Sequence, residues 1–193
     1  MIGKKAPDFS CQAVIEGKVQ ENVSLETFAG KYKVLFFYPK DFTYVCPTEL
    51  HAFQDRLNEF VAHNTQVIGC SVDAPATHCA WLKVPKCEGG IQGINFPLLC
   101  DENHKIAKDY GVFDDVNKVA FRGLFILDKE NIIQCVMINN APFGRNIDEV
   151  LRLVEAVQFV EKNGQACPAN WQEGEKGITT DKEGLLAYFK NES

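Results

Sequence analysis

Residues 39–49, Pro-Lys-Asp-Phe-Thr-Tyr-Val-Cys-Pro-Thr-Glu, gather one thiol, two threonine hydroxyls, a tyrosine phenol, two carboxylates and two prolines in eleven positions. They follow an apolar run at 34–38, Val-Leu-Phe-Phe-Tyr, and lead into a segment with helical spacing. Leu50, Phe53, Leu57, Phe60 and Val61 fall three and four apart and form one apolar stripe, so a helix is predicted over 50–63. The pattern delivers Cys46 from a buried strand to the mouth of that helix. A free thiol with a pKa near ~8.5 is mostly protonated at neutral pH, and only the thiolate is a nucleophile. Backbone N–H groups at a helix N-terminus are unpaired and carry partial positive charge. Cys46 beside such an end is expected to ionise more readily. Pro47 suits the first helical position, where no N–H is needed and φ is already set. The competing reading is that Cys46 is a small buried hydrophobe, as most cysteines are; the flanking prolines and the Thr43 hydroxyl are features that an inert cysteine does not require.

Eight cysteines stand at 11, 46, 70, 79, 87, 100, 135 and 167. None forms a Cys-x-x-Cys pair, which removes the usual zinc and thioredoxin-type redox signatures. The histidines at 51, 63, 78 and 104 do not pair at metal-ligand spacing, so no metal is expected. His51 lies five residues after Cys46, about a third of the way round the helix from it. It is expected to face solvent, which disfavours a cysteine hydrolase. Arg122 interrupts an apolar run at 121–127. Spacing alone leaves two readings open: a strand-end arginine facing water, or a guanidinium that stabilises a nearby thiolate by opposite charge. Cys167, in a tail, reads by itself as a free thiol.

These residues need a scaffold. Residues 3–33 are expected to form a short extended start and turns, with Cys11 peripheral. Runs at 34–38 and 67–72 are continuous and apolar, as in strands covered on both faces. With the helix between them they make a βαβ unit, nearly always right-handed; Cys70 falls in its second strand. A turn at 73–75 precedes a short helix carrying Trp81, and Gly89-Gly90 marks a loop. A short extended piece is expected at 95–99 and a small helix at 103–109, opened by Asp101. Strands at 121–127 and 132–138 flank the turn 128–131 as a hairpin. Asn146 with Glu149 resembles a capping box before a helix ending near Gly164. A polar tail with a short helix at 184–189 closes the chain. The alternation predicts an α/β sandwich.

The chain has 193 residues, enough for one domain with a sizeable core. A net charge of −6, with no basic run, argues against a nucleic-acid partner. No run of 18 apolar residues predicts a membrane span. The first residues lack the apolar core of a signal peptide, which predicts a cytoplasmic chain unless a targeting segment has been removed.

Pro39-x-x-x-Thr43-x-x-Cys46 resembles the active-site motif of the peroxiredoxins, and residues 36–39 and 45–49 are similar to the typical two-cysteine class. The resemblance extends from Ala6-Pro7-Asp8-Phe9 to Phe189. It implies a thioredoxin-like fold, a mixed central sheet flanked by helices. It further implies a peroxidase domain at 3–163 and a tail at 164–193 reaching a partner subunit. Arg122-Gly123-x-Phe125-x-x-Asp128 matches the context in which the family places an arginine over the peroxidatic cysteine, and this tips the choice for Arg122. Cys167-Pro168-Ala169-Asn170-Trp171 matches the resolving-cysteine motif. The implied cycle is reduction of hydrogen peroxide or an organic hydroperoxide by Cys46, a disulfide with Cys167 of the partner subunit, and recycling by thioredoxin or a similar dithiol. Thr43 and Arg122 would be donors, Pro39 would shield the site, and Glu49 would hold Arg122. No cofactor is implied. Thr77 and residues 74–81 match the surface through which the family's homodimers assemble into decamers. Overoxidation-sensitive members carry Gly-Gly-Leu-Gly and Tyr-Phe; here Gly89-Gly90-Ile91-Gln92 departs from the first and Tyr188-Phe189 keeps the second, so intermediate sensitivity is expected. Two alternatives stand beside this reading. A thiol–disulfide oxidoreductase shares the fold but wants a second thiol in Cys46-Pro47-Thr48-Glu49. A ring-forming holdase chaperone would survive loss of Cys46.

Overall fold

The computed structural model describes residues 1–190. Contacts divide the chain into two units, Met1–Ile147 and Asp148–Ser193.

In the first unit, strands β1 (Cys11–Ile15) and β2 (Lys18–Val23) precede a 3-10 turn at Leu25–Phe28 and strand β3 (Tyr32–Phe37). Helices α1 (Cys46–Asp55) and α2 (Leu57–Ala62) lead to β4 (Thr65–Ser71), then α3 (Pro75–Trp81), β5 (Leu98–Cys100) and α4 (Lys105–Asp109). The small pair β6 (Phe113–Asp114) and β7 (Val119–Ala120) is followed by β8 (Arg122–Leu127) and β9 (Ile133–Asn139). Seven strands form a mixed sheet in the order β2-β1-β5-β4-β3-β8-β9. β3 pairs with β4 in parallel and with β8 antiparallel, so the predicted βαβ unit lies at the sheet's centre and the predicted hairpin beside it.

All six residues of β3 are buried, and the period of two sorts them. Phe36 stacks on Phe53 of α1 at 4.3 Å between ring centroids. Phe37 points the other way, meeting Phe125 at 5.9 Å and Tyr110, which follows α4, at 5.4 Å. Leu35, Phe37, Ile68, Cys70, Phe125 and Leu127 share that second face with Ile106 and Ala107 of α4. Helices thus cover the sheet on both sides. Gly69 makes room for the first face: a Cβ there would lie 3.0 Å from Leu98 and 3.1 Å from Phe36.

Two stretches differ from expectation. Residues 3–33 contain an antiparallel hairpin, β1–β2, turning at Glu16 and Gly17, both with positive φ. Its outer strand is polar and exposed along five of six positions, so no apolar alternation announced it. The helix expected at 50–63 is two helices that break at Arg56, and the first begins at Cys46 itself. Pro47 accordingly takes the second helical position. Asp101 does open the small helix: its carboxylate accepts the N–H groups of Ile106 and Ala107 at 2.9 and 2.8 Å.

In the second unit, α5 (Ile147–Asn163) and α6 (Lys182–Lys190) flank an extended segment. Ala166 and Ile178 bridge antiparallel. Trp171 is 1% exposed, lies 4.8 Å from the Phe159 ring and donates its indole N–H to the Glu175 carbonyl. Among the described residues no helix is long and apolar enough to cross a membrane.

Candidate active site

Cys46 is the first residue of α1 and fully buried. Its helix end has no side-chain cap, so the partial positive charge of the first turn is left for whatever sits there. The Val45 carbonyl accepts the N–H groups of Thr48 and Glu49 at 3.0 and 3.3 Å, which winds the turn tightly.

Arg122, at the start of β8, points into this turn. Its Nη1 donates to Cys46 Sγ at 3.5 Å and to Glu49 Oε2 at 2.7 Å, and its Nε donates to the Ala141 carbonyl at 2.8 Å. Glu49 stands one turn after Cys46 on α1, so both side chains meet the same guanidinium. Arg122 and Glu49 are each 3% exposed. Of the two readings that spacing left open, the buried one is observed.

A second arginine was missed by the sequence reading. Arg145 clasps Glu49 with a two-pronged fork, Nε to Oε1 and Nη2 to Oε2, both at 2.8 Å. Its backbone N–H donates to Oε1 as well. Nη1 donates to the carbonyls of Phe37 and Gly123 at 2.9 and 2.8 Å, and the guanidinium lies over the Phe36 ring at 5.1 Å. Burial holds the pKa of Arg145 below its ordinary value against the opposing Glu49 carboxylate, yet a guanidinium stays charged at neutral pH. Arg145 sits in a loop 96 residues from Glu49. Its one sequence signal is its place immediately before the Asn146 cap, which says nothing of a partner.

Two buried guanidinium groups and one carboxylate leave one positive charge uncompensated. Buried charge is costly unless paired, and Cys46 Sγ shares the Arg122 guanidinium with Glu49.

Pro39 is buried directly after β3. Thr43 is half-buried, and its hydroxyl donates to the Lys40 carbonyl at 2.8 Å. That bond ties the loop, and it commits the hydroxyl proton to Lys40 in this state. Asp41 fixes the same loop from below. Its carboxylate accepts from Tyr38 Oη at 2.8 Å and from His78 Nδ1 at 2.7 Å, while its N–H donates to Asp73 Oδ2 at 2.8 Å.

His51 was expected to face solvent and does not. It is 8% exposed, with Nε2 3.0 Å from the Gly90 carbonyl. α1 starts four residues earlier than the apolar stripe suggested, and its second turn faces the loop carrying Gly89 and Gly90. With its ring nitrogen engaged there, His51 is not the base of a cysteine hydrolase.

The other thiols stand in different surroundings. Burial pushes Cys11 up to about 12 and raises Cys70 and Cys100 as well. Such thiols stay protonated and react slowly. Cys167, in the second unit, is half-buried, with Sγ 3.8 Å from the Ala156 carbonyl; burial raises its pKa against the opposing effect of Arg152. Among the described residues no disulfide joins any of the eight cysteines.

The chain is similar to known proteins over most of its length. Residues 2–136 match the AhpC/TSA family, and residues 156–191, which include Cys167, match the C-terminal domain of 1-Cys peroxiredoxin. A thioredoxin peroxidase of Echinococcus granulosus is 49% identical over 191 residues, covering 99% of this chain and 98% of the relative. Peroxiredoxin prdx-2 of Caenorhabditis elegans is 50% identical over 189 residues, covering 98% of this chain and 94% of that one. The crystal structure of reduced 2-Cys peroxiredoxin from Plasmodium vivax superposes with a TM-score of 0.94 at 42% identity, covering 98% of both chains.

Proposed function

The chain belongs to the AhpC/TSA family of peroxiredoxins, and on that premise we propose that Cys46 is the peroxidatic thiol of a thioredoxin-dependent peroxidase. The enzyme reduces peroxides and serves antioxidant defence. The observation that carries the assignment is the Arg122 guanidinium 3.5 Å from a buried Sγ at the N-terminus of α1.

The Cys46 thiolate attacks one oxygen of hydrogen peroxide or an organic hydroperoxide. The S–O bond forms as the O–O bond breaks heterolytically, and the departing oxygen takes a proton and leaves as water or alcohol. Charge develops on that oxygen. Arg122 and the Cys46 N–H are donors aimed at it, as an anion-stabilising site requires. The Thr43 hydroxyl joins them once it turns away from the Lys40 carbonyl. Pro39 keeps water from the sulfur, and Glu49 with Arg145 holds Arg122 in register.

The sulfenic acid on Cys46 then condenses with Cys167 of the partner subunit, forming a disulfide and releasing water. Thioredoxin, or a similar dithiol, returns both sulfurs to thiols by exchange and is itself oxidised to a disulfide. In this reading residues 3–163 are the peroxidase domain and 164–193 the tail that reaches the partner. The working unit is a homodimer that assembles into a decamer, and the compartment is the cytoplasm. The cycle needs no metal or organic cofactor.

One equivalent of hydrogen peroxide followed by non-reducing electrophoresis tests the cycle. Wild type is expected to shift to a dimer-sized band that a dithiol reverses. Cys167→Ser is expected to stay monomer-sized while its Cys46 gains a dimedone-reactive oxygen. Wild type that stays monomeric, with no oxygen added at Cys46, would overturn the assignment.

A further inference from the structure

The thiol that closes the proposed cycle stands in surroundings that do not favour its reaction. Cys167 lies in the extended segment after α5, within the second unit. Burial raises its pKa, and its S–H donates to the Ala156 carbonyl at 3.8 Å. A thiol so placed is mostly protonated at neutral pH, and only the thiolate attacks another sulfur.

Arg152 opposes this. Residues 152 and 156 are four apart on α5 and share one face, so Arg152 stands one turn from the carbonyl that meets the sulfur. Its Nη1 donates to the Trp171 carbonyl at 2.9 Å, four residues beyond Cys167. Its Nε and Nη2 fork onto the Glu149 carboxylate at 2.6 and 2.7 Å, which fixes where the guanidinium points. The neighbouring chain also carries Glu155 on α5 and Glu173, Glu175 and Lys176 on the tail. Across a cavity, α6 brings Gly184, Ala187 and Tyr188 toward Pro168, and no charged group. Arg152 is the charge that acts on the thiol, lowering the pKa that burial raises. Trp171 keeps the segment in place by other means as well. It is 1% exposed, its ring lies 4.8 Å from that of Phe159, and its indole N–H donates to the Glu175 carbonyl. Docking of the segment therefore does not rest on Arg152 alone.

Resting on the peroxidase reading above, we propose that Arg152 is a positioning residue for the second half-reaction, holding a positive charge beside the resolving sulfur. In that step the Cys167 thiolate attacks the sulfenic sulfur on the partner's Cys46. The S–S bond forms and the S–O bond breaks. The departing hydroxide takes up the proton that Cys167 released, giving water. Arg152 raises the ionised fraction of Cys167 and leaves the first oxidation, the work of Cys46 and Arg122, untouched.

The experiment compares wild type with Arg152→Gln and Arg152→Lys. Both lose the fork and weaken the bond to Trp171, so a difference between them reads the charge. Reduced protein is labelled across pH with iodoacetamide, a neutral reagent, and peptide mass follows Cys167. The pH of half-maximal labelling is expected to be higher in Arg152→Gln and to stay near wild type in Arg152→Lys. Stopped-flow mixing with peroxide separates the first oxidation from disulfide formation. Arg152→Gln is expected to leave the first oxidation unchanged and to slow disulfide formation roughly two- to fivefold at neutral pH, the range of a part-exposed charge pair. That gap is expected to close in alkali, where Cys167 is ionised in every variant. Coincident pH profiles for Arg152→Gln and Arg152→Lys would overturn the role of Arg152 while leaving the peroxidase intact. Absence of a Cys46–Cys167 disulfide in wild type would instead overturn the cycle, and labelling, which needs no peroxide, would still decide Arg152. If Arg152→Gln does not fold, Arg152→Met supplies the neutral variant.

Discussion

Arg145 shows how a charge remote from the chemistry can govern it. Arg122 makes one hydrogen bond to Glu49 and one to the sulfur, so its own position is set by Glu49. Glu49 in turn is fixed by three donors from Arg145. Removing the Arg145 guanidinium would leave the buried Glu49 carboxylate with only its bond from Arg122 and take a donor from the Phe37 and Gly123 carbonyls. Breaking a buried ion pair from one side costs about 3–5 kcal/mol. Arg145→Met is therefore expected to lose that much stability in urea unfolding. Its peroxide rate is expected to fall by up to about 10²-fold, the penalty for a catalytic group displaced by an ångström. Arg145→Lys keeps the charge but not the fork, and should recover part of the stability and little of the rate. A Met variant as fast as wild type would separate Arg145 from the site. The burial of Arg122 beside Cys46 could be expected only through the motif it shares with a known family, since spacing alone left two readings open. That of Arg145 could not, because nothing local distinguishes an arginine whose partners are 96 residues away.

At the level of elements, what could be read from sequence follows burial. β3 and β4 are covered on both faces and announce themselves as apolar runs. The β1–β2 hairpin is an exposed edge with polar side chains, and its turn, Glu16-Gly17, lacks the usual Asn-Gly or Asp-Gly. The break at Arg56 was hidden because an apolar stripe continues in phase across it. The buried polar web beneath the active-site loop was hidden too, because His78 reads as a lone histidine. It joins α3 to that loop through Asp41 Oδ2 and to β5 through the Leu99 carbonyl, at 2.7 and 3.3 Å. Acceptors thus face both ring nitrogens, and the doubly protonated ring satisfies both. Burial alone would lower the His78 pKa, but the bond and charge of Asp41, with the more distant Asp73, raise it above the ordinary value. A group raised in the folded state stabilises fully below its unfolded pKa, near ~6.5, and loses that contribution as pH climbs through the folded value. Wild type should therefore lose stability as pH rises above neutrality, by a margin absent in His78→Gln. Urea midpoints across the alkaline range check this, and parallel curves for the two proteins would remove His78 as the cause.

Two patches of the first unit carry exposed apolar side chains among its described residues. β9 ends the sheet; residues 3–5 bridge to its start, and further along Ile138 is 50% exposed; sheet edges are natural sites for a second copy. The loop after β3 presents Phe42 at 55% and Tyr44 at 94% exposure, with Phe42 held over Trp81 at 5.7 Å. One self-complementary interface closes at a dimer, whereas a second, distinct one lets dimers join further and close as a ring. The proposed decamer would use both, the second together with residues 74–81, on whose Trp81 Phe42 packs. Because the second surface lies on the loop that delivers Cys46 to α1, ring contacts would stiffen the loop from outside as Asp41 does from within. Light scattering of the reduced protein is expected to give the mass of ten chains. Tyr44→Asp places a charge in the contact between dimers and is expected to give dimers that still form the intersubunit disulfide. A wild-type mass no larger than a dimer at every concentration would reject the ring. A Tyr44→Asp protein that remains a decamer would reject this loop as the joint, since an unpaired carboxylate cannot be buried there without cost.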